Sequence, residues 1–305
     1  MGSMNFTSQE ETQLFYTPTA FDFFELMKPR VMSLVVFTTL VGMYMSPYQI
    51  HPVLSLISLL SIALGAGSAG AINQWIDRDI DKIMLRTKER PIPSGRIDPA
   101  EAITFSLVTS LISVILLGLA SNWLAAFLLA FTIFFYAVIY SIFLKRKTAQ
   151  NIVIGGIAGS LPPVIGWAAM TGSIGFLPCL LFLIVFLWTP PHFWALALVK
   201  SEDYTRAKIP MMPNIVGEKS TKLQIIMYSF LVLISSILPN IFGFAGNVYL
   251  LVSLPLGLIF LTFALTLMIF PKNKLEMHMF GYSIFYLFGI FLAFVLDKFI
   301  HGSVL

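Results

Sequence analysis

The chain has 305 residues, of which 57% are hydrophobic and only 11% are charged. Soluble domains carry roughly 25% charged residues, so this composition excludes an ordinary soluble domain and predicts that a lipid bilayer is the main solvent. The one cysteine, Cys179, excludes an internal disulfide framework. The net charge of +4 comes from basic residues beside apolar runs, which indicates membrane orientation and no nucleic-acid partner.

The first residues form a short polar segment. Residues 1–3, Met-Gly-Ser, resemble a cloning remnant ahead of Met4, and residues 1–24 lack the basic region and short apolar core of a signal peptide. We therefore predict residues 1–24 as a polar N-terminal tail and residues 25–305 as a single membrane domain.

Nine apolar runs follow, each close to the length of about 20 residues that a membrane helix needs. The first run is short unless its helix begins within Phe23–Met27. The predicted fold class is therefore all-α, a polytopic membrane protein with nine transmembrane helices. The predicted spans are Val31–Met45, Val53–Trp75, Ala102–Ala120, Trp123–Leu144, Ile152–Met170, Phe176–Val199, Leu223–Phe242, Val248–Phe270 and Phe280–Phe299.

The segments outside these runs alternate in charge. Of the 19 Lys and Arg residues, 18 lie before the first run or in every second loop, and the exception is Lys298. Because basic residues accumulate in cytoplasmic loops, the pattern predicts a cytoplasmic N-terminus. The membrane that we expect is a bacterial inner membrane. The basic segments are Lys28–Arg30, Arg78–Arg96, Lys145–Lys147, Lys200–Lys222 and Lys272–Lys274.

The second run ends in a stripe of oxygen-bearing side chains. Asn73, Asp77 and Asp81 are spaced i, i+4 and i+8, so on a helix they share one face. Two carboxylates and an amide carbonyl are hard oxygen ligands, which suit Mg²⁺ bound together with substrate phosphates. The alternative is a solvated helix end in which Asp77 pairs with Arg78 or Lys82, although acidic residues near apolar depth are rare and usually functional.

Two arginines follow this stripe. Arg86 and Arg90 are again spaced i, i+4, and guanidinium groups match phosphate oxygens in geometry. A metal stripe followed by an arginine pair predicts a diphosphate site, in which cations neutralise the leaving group as its bond breaks. The alternative is that these arginines only set the membrane orientation. That interpretation would explain the presence of Lys88 equally well.

The sixth run carries the second polar feature. Pro190 and Pro191 remove two helix donors and predict a kink, which is tolerated where it lines a cavity. His192 follows, and an ionisable side chain within a span is a candidate to ligate a metal, position a substrate or move a proton. The alternative is a neutral histidine bonded to a freed backbone carbonyl. Asp203 lies in the next loop without an Asp four residues later, where Ala207 stands.

These features resemble the UbiA superfamily of membrane prenyltransferases, and within it the branch that farnesylates haem. The motifs that carry the resemblance are Asn73-x-x-x-Asp77-x-x-x-Asp81 and Arg86-Thr87-x-x-Arg90-Pro91. Further matching stretches, in the family's order, are residues 28–31, 90–96, 151–156, 162–167, 188–194 and 203–213.

The resemblance implies nine helices around a central, lipid-accessible cavity and an Mg²⁺-assisted prenyl transfer. For the haem branch, the donor is farnesyl diphosphate and the acceptor is haem B, whose vinyl group becomes a hydroxyethylfarnesyl side chain. Membrane lipid and a downstream haem-modifying enzyme are the further partners implied. A quinone-type aromatic acceptor is the alternative. Relatives that act on quinone precursors usually carry a second Asp-rich motif in the loop after the sixth helix. The lack of an Asp four residues after Asp203, together with His192, disfavours this acceptor. A transporter is disfavoured because only His192 approaches the membrane midplane.

The resemblance also implies roles for particular residues. They fall into three groups: Asn73, Asp77 and Asp81 for metal binding and catalysis, with Asp203 as a further metal candidate; Arg86, Arg90, Lys28 and Arg30 for the diphosphate; and His192, Trp188 and Trp194 for haem, the tryptophans acting as apolar walls.

Overall fold

The computed structural model describes residues 17–270 and 275–302, and all the regular secondary structure in these two ranges is helical. Residues 1–16 of the predicted tail and the basic segment Lys272–Lys274 lie outside the described residues. The helices are α1 (Ala20–Leu26), α2 (Pro29–Met45), α3 (Pro52–Ile76), α4 (Arg78–Ile83), α5 (Pro99–Ala120), α6 (Trp123–Leu144, a π-helix from Phe135 onward), α7 (Asn151–Ser160), α8 (Pro162–Thr171), α9 (Phe176–Val199), α10 (Ser201–Arg206), α11 (Met212–Val216), α12 (Glu218–Ile241), α13 (Asn247–Ile269) and α14 (Leu275–His301).

Within the described ranges, eight spans are long and apolar enough to cross a bilayer, with α7 and α8 together forming one of them. The bent pair of α1 and α2, which meet at 63°, is a ninth if it is counted as one span. The predicted all-α membrane fold is confirmed, and nine spans agree with this count. Helix α1 begins at Ala20, inside the segment predicted as a polar tail.

Helix starts follow the local sequence. Pro29, Pro52 and Pro99 stand at the beginning of α2, α3 and α5, where a missing backbone N–H leaves no hydrogen bond unmade. The side chains of Asp98 and Asn122 accept hydrogen bonds from the first turns of α5 and α6 and cap them. Prolines and capping side chains therefore mark where these helices begin.

The outer surface of the bundle is apolar. Leu111, Phe127 and Leu251 are each more than 60% exposed, and many other large apolar side chains share this outward position. A water-soluble monomer does not expose apolar surface on this scale. The chain is therefore an integral membrane protein whose outer face meets lipid.

Small residues bring the helices close together inside. An added Cβ on Gly42 of α2 would overlap the carbonyl oxygen of Pro163 in α8, and one on Gly166 of α8 would overlap that of Thr39 in α2. Close backbone approach at small residues is the usual basis of helix association in membranes. The crossing of α2 and α8 thus depends on glycine from both sides.

Helix α14 closes the bundle by packing against α2, α9 and α13. Near its C-terminal end, buried Asp297 accepts hydrogen bonds from the backbone N–H groups of Gly246 (2.5 Å) and Tyr249 (3.1 Å), at the start of α13. Its neighbour Lys298 donates to the carbonyl oxygen of Tyr44 (2.8 Å), at the end of α2. An acid at a helix N-terminus and a base at a helix C-terminus both complement the helix dipole. Lys298, the exception in the charge pattern, therefore has a local structural role.

Candidate active site

Asn73, Asp77 and Asp81, called here the oxygen stripe, lie on one face as their spacing predicts. Helix α3 ends at Ile76 and α4 begins at Arg78, but the backbone bonds from Asp77 N to Asn73 O (3.0 Å) and from Asp81 N to Asp77 O (2.8 Å) keep helical register. The three stripe residues are 4%, 0% and 2% exposed. Buried carboxylates need charged partners, so the identity of those partners decides what the site can do.

Three cations, Lys28, Arg90 and Lys145, converge on the oxygen stripe from three parts of the chain. Lys28 Nζ donates to Asn73 Oδ1 (2.6 Å). Lys145 Nζ donates to Asp77 Oδ2 (2.5 Å). Arg90 Nη1 donates to Asp81 Oδ2 (2.7 Å). Each stripe residue therefore accepts a hydrogen bond from one cation.

The alternative of a solvated helix end is not what the structure shows. Asp77 pairs with neither Arg78 nor Lys82 of its own helix but with Lys145 and, through Oδ2, with the side-chain amide of Asn73 (2.8 Å). Arg78 instead donates to the carbonyl oxygen of Trp75. The carboxylate of Asp77 therefore points into the bundle, away from its sequence neighbours.

Lys28 reaches the stripe from a strained backbone position. It lies at the bend between α1 and α2 with φ 57°, in the left-handed region. A non-glycine residue there costs roughly 1–2 kcal/mol, and such strain clusters at functional sites. Because the bend turns the Lys28 side chain towards Asn73, the strain is tied to the position of the ammonium group.

Lys145 was missed as a site residue, because the sequence indicated only membrane orientation for Lys145–Lys147. The π-helical half of α6 places Lys145 beside Asp77. The backbone bond from Lys145 N to Tyr140 O (2.8 Å) spans five residues, as π-helical bonds do, and the side-chain Oγ of Ser141 donates to Tyr136 O (2.7 Å). Ser141 Oγ also accepts from the amide of Asn73 (2.9 Å). Single π segments are frequent at functional sites, but apolar periodicity does not reveal them.

Two tyrosines of the same π segment form a wall beside the cations. The rings of Tyr136 and Tyr140 stack with centroids 5.4 Å apart and an interplanar angle of 8°. Lys28 Nζ lies 5.9 Å from the centre of the Tyr136 ring, which is a favourable cation–π position. The site therefore combines charged groups with a flat aromatic surface.

The helical spacing of Arg86 and Arg90 proves irrelevant, because residues 84–97 form consecutive turns and no helix. Arg90 turns inward to Asp81, whereas Arg86 is exposed, as is Arg30. Arg96 holds this loop against α1 through ion pairs with Asp22 (2.6 Å) and Glu25. Only one of the two arginines is thus part of the buried cluster.

Two further acidic groups lie around the cluster. Asp79 is exposed and accepts two hydrogen bonds from Arg146, which hold the pKa of its carboxyl below its usual value. Asp203 is buried at the start of α10, where its carboxylate pairs with Arg206 (2.5 Å). No hydrogen bond or ion pair joins Asp203 to the oxygen stripe within residues 17–270 and 275–302.

The oxygen stripe fits a divalent cation that shares its ligands with a substrate. Asp77 Oδ1 is buried without a hydrogen bond and has Arg146 Nη2 at 3.9 Å, so this carboxylate oxygen retains the capacity to bind a cation. In the described parts of the chain, no group of three or more His, Cys, Asp or Glu side chains forms a complete metal cage. Magnesium sites commonly use one or two carboxylates and complete the shell with substrate phosphates and water.

His192 occupies a separate aromatic pocket between α9 and α14. Its ring stacks between Trp188 (centroids 4.2 Å apart) and Phe280 (4.5 Å). Its Nδ1 lies 2.6 Å from the hydroxyl oxygen of Ser283. The alternative of a bond to a carbonyl freed by the prolines is therefore not realised, and helix α9 continues through Pro190 and Pro191.

The two predicted tryptophan walls lie apart. Trp188 contacts His192 directly and donates from Nε1 to the carbonyl oxygen of Ser283 (2.8 Å). Trp194 is fully buried and packs edge-on against Tyr228 of α12, with centroids 5.5 Å apart. Two residues along a helix place side chains on different faces, so only Trp188 shares the pocket of His192.

The spanning helices and the buried cluster of carboxylates and cations fit a membrane prenyltransferase. Residues 35–294 match the UbiA prenyltransferase family, and the chain belongs to that family. It is 56% identical over 284 residues to the protoheme IX farnesyltransferase of Rhizobium etli (strain CIAT 652), covering 92% of this chain and 90% of that protein.

Solved structures share the fold at lower sequence identity. A digeranylgeranylglyceryl phosphate synthase superposes with a TM-score of 0.75 and 20% identity, over 90% of this chain and 97% of that one. A UbiA homologue from Archaeoglobus fulgidus bound to DMAPP and Mg²⁺ superposes with a TM-score of 0.62 and 16% identity, over 90% and 99% of the two chains.

Proposed function

We propose that this chain transfers the farnesyl group of farnesyl diphosphate to a vinyl group of haem B, at the cytoplasmic face of a bacterial inner membrane. Relatives at 55–57% identity that are named protoheme IX farnesyltransferase support this donor and acceptor. The observation that carries the proposal is the convergence of three cations on the buried oxygen stripe. The clustering of basic residues in alternate loops supports the cytoplasmic position.

The proposed reaction breaks the C–O bond of the donor, the π bond of the vinyl group and one O–H bond of water, and it forms one C–C and one C–O bond. The C–O bond at C1 of the farnesyl group breaks, and diphosphate leaves with the electron pair. The π electrons of the vinyl group form a new C–C bond to C1. Water then bonds through oxygen to the remaining vinyl carbon and releases a proton, which gives the hydroxyethylfarnesyl side chain. No external oxidant or reductant is needed.

The chain's own residues would prepare the leaving group. Mg²⁺, when bound, would neutralise diphosphate charge as the bond breaks, and a UbiA homologue bound to DMAPP and Mg²⁺ supports its use. Asp77, Asp81 and Asn73 would hold it through their oxygens. The three cations would exchange these oxygens for phosphate oxygens, while exposed Arg86 and Arg30 would attract the donor at the mouth of the site.

The acceptor would meet the aromatic pocket around His192. A stack of flat rings from Trp188, His192 and Phe280 offers a surface that suits a porphyrin edge. The farnesyl chain and the product remain soluble in the surrounding lipid, from which a downstream haem-modifying enzyme would collect the product. Asp203, which is paired with Arg206, would enter the metal site only after losing that partner.

The test is a transfer assay on purified protein in lipid nanodiscs with haem B, farnesyl diphosphate and Mg²⁺. Pyridine haemochrome spectra and mass spectrometry should show conversion of haem B to its farnesylated product. A phenolic quinone precursor offered in place of haem should remain unmodified. Prenylation of the phenol without any haem product would transfer the assignment to the quinone class.

Three variants test the site itself. Asp77→Ala and Asp81→Ala should each abolish transfer while the protein still inserts, because each removes a carboxylate of the oxygen stripe. Asp79→Ala is the matched control, since Asp79 lies between them in sequence but is exposed and pairs with Arg146. Activity near wild type in either stripe variant would remove the metal-site assignment.

A further inference from the structure

Ser283 of α14 lies beside His192 although 91 residues separate the two in sequence. The imidazole is fixed in plane by Trp188 and Phe280 on its faces and by the edge contact of Phe193 (centroids 5.0 Å apart). Trp188 Nε1 donates to the backbone carbonyl of Ser283 (2.8 Å), so the two helices are held together at this level. The geometry of the Ser283–His192 contact is therefore set by its surroundings.

Counting protons assigns the direction of that hydrogen bond. A serine hydroxyl has one proton, and Ser283 Oγ lies 2.6 Å from the carbonyl oxygen of Phe280, which can only accept. If the hydroxyl donated to His192 instead, two oxygen lone pairs would face each other across 2.6 Å. Ser283 therefore donates to Phe280 and accepts from His192 Nδ1.

This assignment fixes the tautomer of the imidazole. A neutral imidazole has one N–H, so a proton on Nδ1 leaves Nε2 unprotonated, with its lone pair available to accept. Within the two described ranges of the chain, Nε2 has no hydrogen bond and is not fully buried. It thus retains accessible surface and is the nitrogen able to ligate.

We propose that Ser283 is a positioning residue: its hydroxyl holds His192 in the Nδ1–H form and presents Nε2 as a ligand to the iron of the haem acceptor. The inference rests on the proposed haem-farnesylating function. Histidines that bind metals usually donate their other N–H to such an acceptor, which fixes the ring and makes the ligating nitrogen more basic. A ligated iron would hold the porphyrin at α9 and α14 while its vinyl group faces the donor.

The test is haem binding by purified protein, with Ser283→Ala, Ser283→Thr and His192→Ala compared with wild type. Wild type should give the absorption spectrum of histidine-ligated haem, and His192→Ala should lose it. Ser283→Ala should weaken haem binding by about 10- to 100-fold, the usual cost of removing such a supporting acceptor. In resonance Raman spectra, its ferrous iron–histidine stretch should fall to lower frequency, and Ser283→Thr should restore both signals.

A ligand-replacement experiment tests the hydrogen bond directly. In His192→Gly, added imidazole should ligate the bound haem and donate its N–H to Ser283. The probe 1-methylimidazole also ligates iron but has no N–H to donate, so it should ligate more weakly. In His192→Gly/Ser283→Ala, the preference for imidazole should disappear. This double variant corrects for any intrinsic preference of haem itself.

The outcomes separate the two proposals. If wild type neither binds haem nor forms the farnesylated product, the proposed function fails. If wild type forms the product while Ser283→Ala keeps the wild-type stretch and haem affinity, only the inference about Ser283 fails. Binding of inorganic pyrophosphate with Mg²⁺ should be unchanged in Ser283→Ala, and an equal loss there would show a purely structural role and overturn the inference.

Discussion

Replacement of Lys145 by methionine should lower stability and raise the affinity for Mg²⁺ at the same time. Lys145 Nζ lies 2.5 Å from Asp77 Oδ2, and the Asp77 side chain is fully buried. Removing one partner of a buried ion pair typically costs 3–5 kcal/mol. Because Asp77 keeps its bond to Asn73 and has Arg146 at 3.9 Å, we expect the lower end, about 3 kcal/mol.

The same change removes the cation that competes with the metal. If all of that 3 kcal/mol opposes metal binding in wild type, Mg²⁺ affinity should rise by up to about 100-fold, since about 1.4 kcal/mol corresponds to a factor of ten. At a thousandfold excess over its dissociation constant, Mg²⁺ would stabilise the variant by about 4 kcal/mol and offset the loss. Pyrophosphate, which Lys145 would contact, should bind the variant more weakly.

Thermal unfolding followed by tryptophan fluorescence, with and without Mg²⁺, measures the first effect, and calorimetric Mg²⁺ titration measures the second. Lys147→Met is the matched control, because Lys147 lies two residues on, is exposed, and has its Nζ 5.5 Å from the centre of the Phe143 ring. An unfolding temperature and Mg²⁺ affinity equal to wild type in Lys145→Met would refute the buried pair and the competition derived from it.

Three further changes have defined outcomes. Gly42→Ala should destabilise the fold by about 1–3 kcal/mol in thermal unfolding, because its Cβ would overlap Pro163, whereas Gly159→Ala, with open space around it, should be neutral or slightly stabilising. Asp297→Ala should cost about 1 kcal/mol or more through the lost cap while transfer activity persists, so loss of activity in a folded variant would contradict a capping role. Lys28→Gly and Lys28→Ala should both weaken pyrophosphate binding. The glycine variant should unfold at a higher temperature than the alanine variant, because glycine relieves the left-handed backbone strain at this position. Equal unfolding temperatures would contradict that strain.

The spans and the oxygen stripe could be predicted because they depend on local sequence. An apolar run of membrane length has few other structures available in a bilayer. Asn73, Asp77 and Asp81 keep their i, i+4 relation because backbone bonds continue the helix across Asp77, although α3 formally ends there. His192 could be singled out because an ionisable side chain inside a membrane span costs free energy and is therefore usually retained for a function.

The partners of these residues could not be predicted, because they depend on local geometry that spacing does not encode. Lys145 reaches Asp77 only through the π segment of α6. Arg86 fails to join Arg90 because the loop that carries them is a series of turns. Ser283 meets His192 across 91 residues of chain, and hydroxyl residues on α14 carry no mark of such a role in the sequence.

The position of Ser283 and Phe280 on the last helix has a consequence for how the protein is made. The oxygen stripe and its three cations lie between residues 28 and 145, so all of them are synthesised before α9, which carries His192. The ring stack around His192 also needs Phe280 and Ser283 of α14, which are synthesised well after His192 itself. During synthesis the oxygen stripe and its cations can therefore assemble well before the ring stack, and a chain stalled before α14 would contain the stripe and its cations but lack the Ser283 partner of His192.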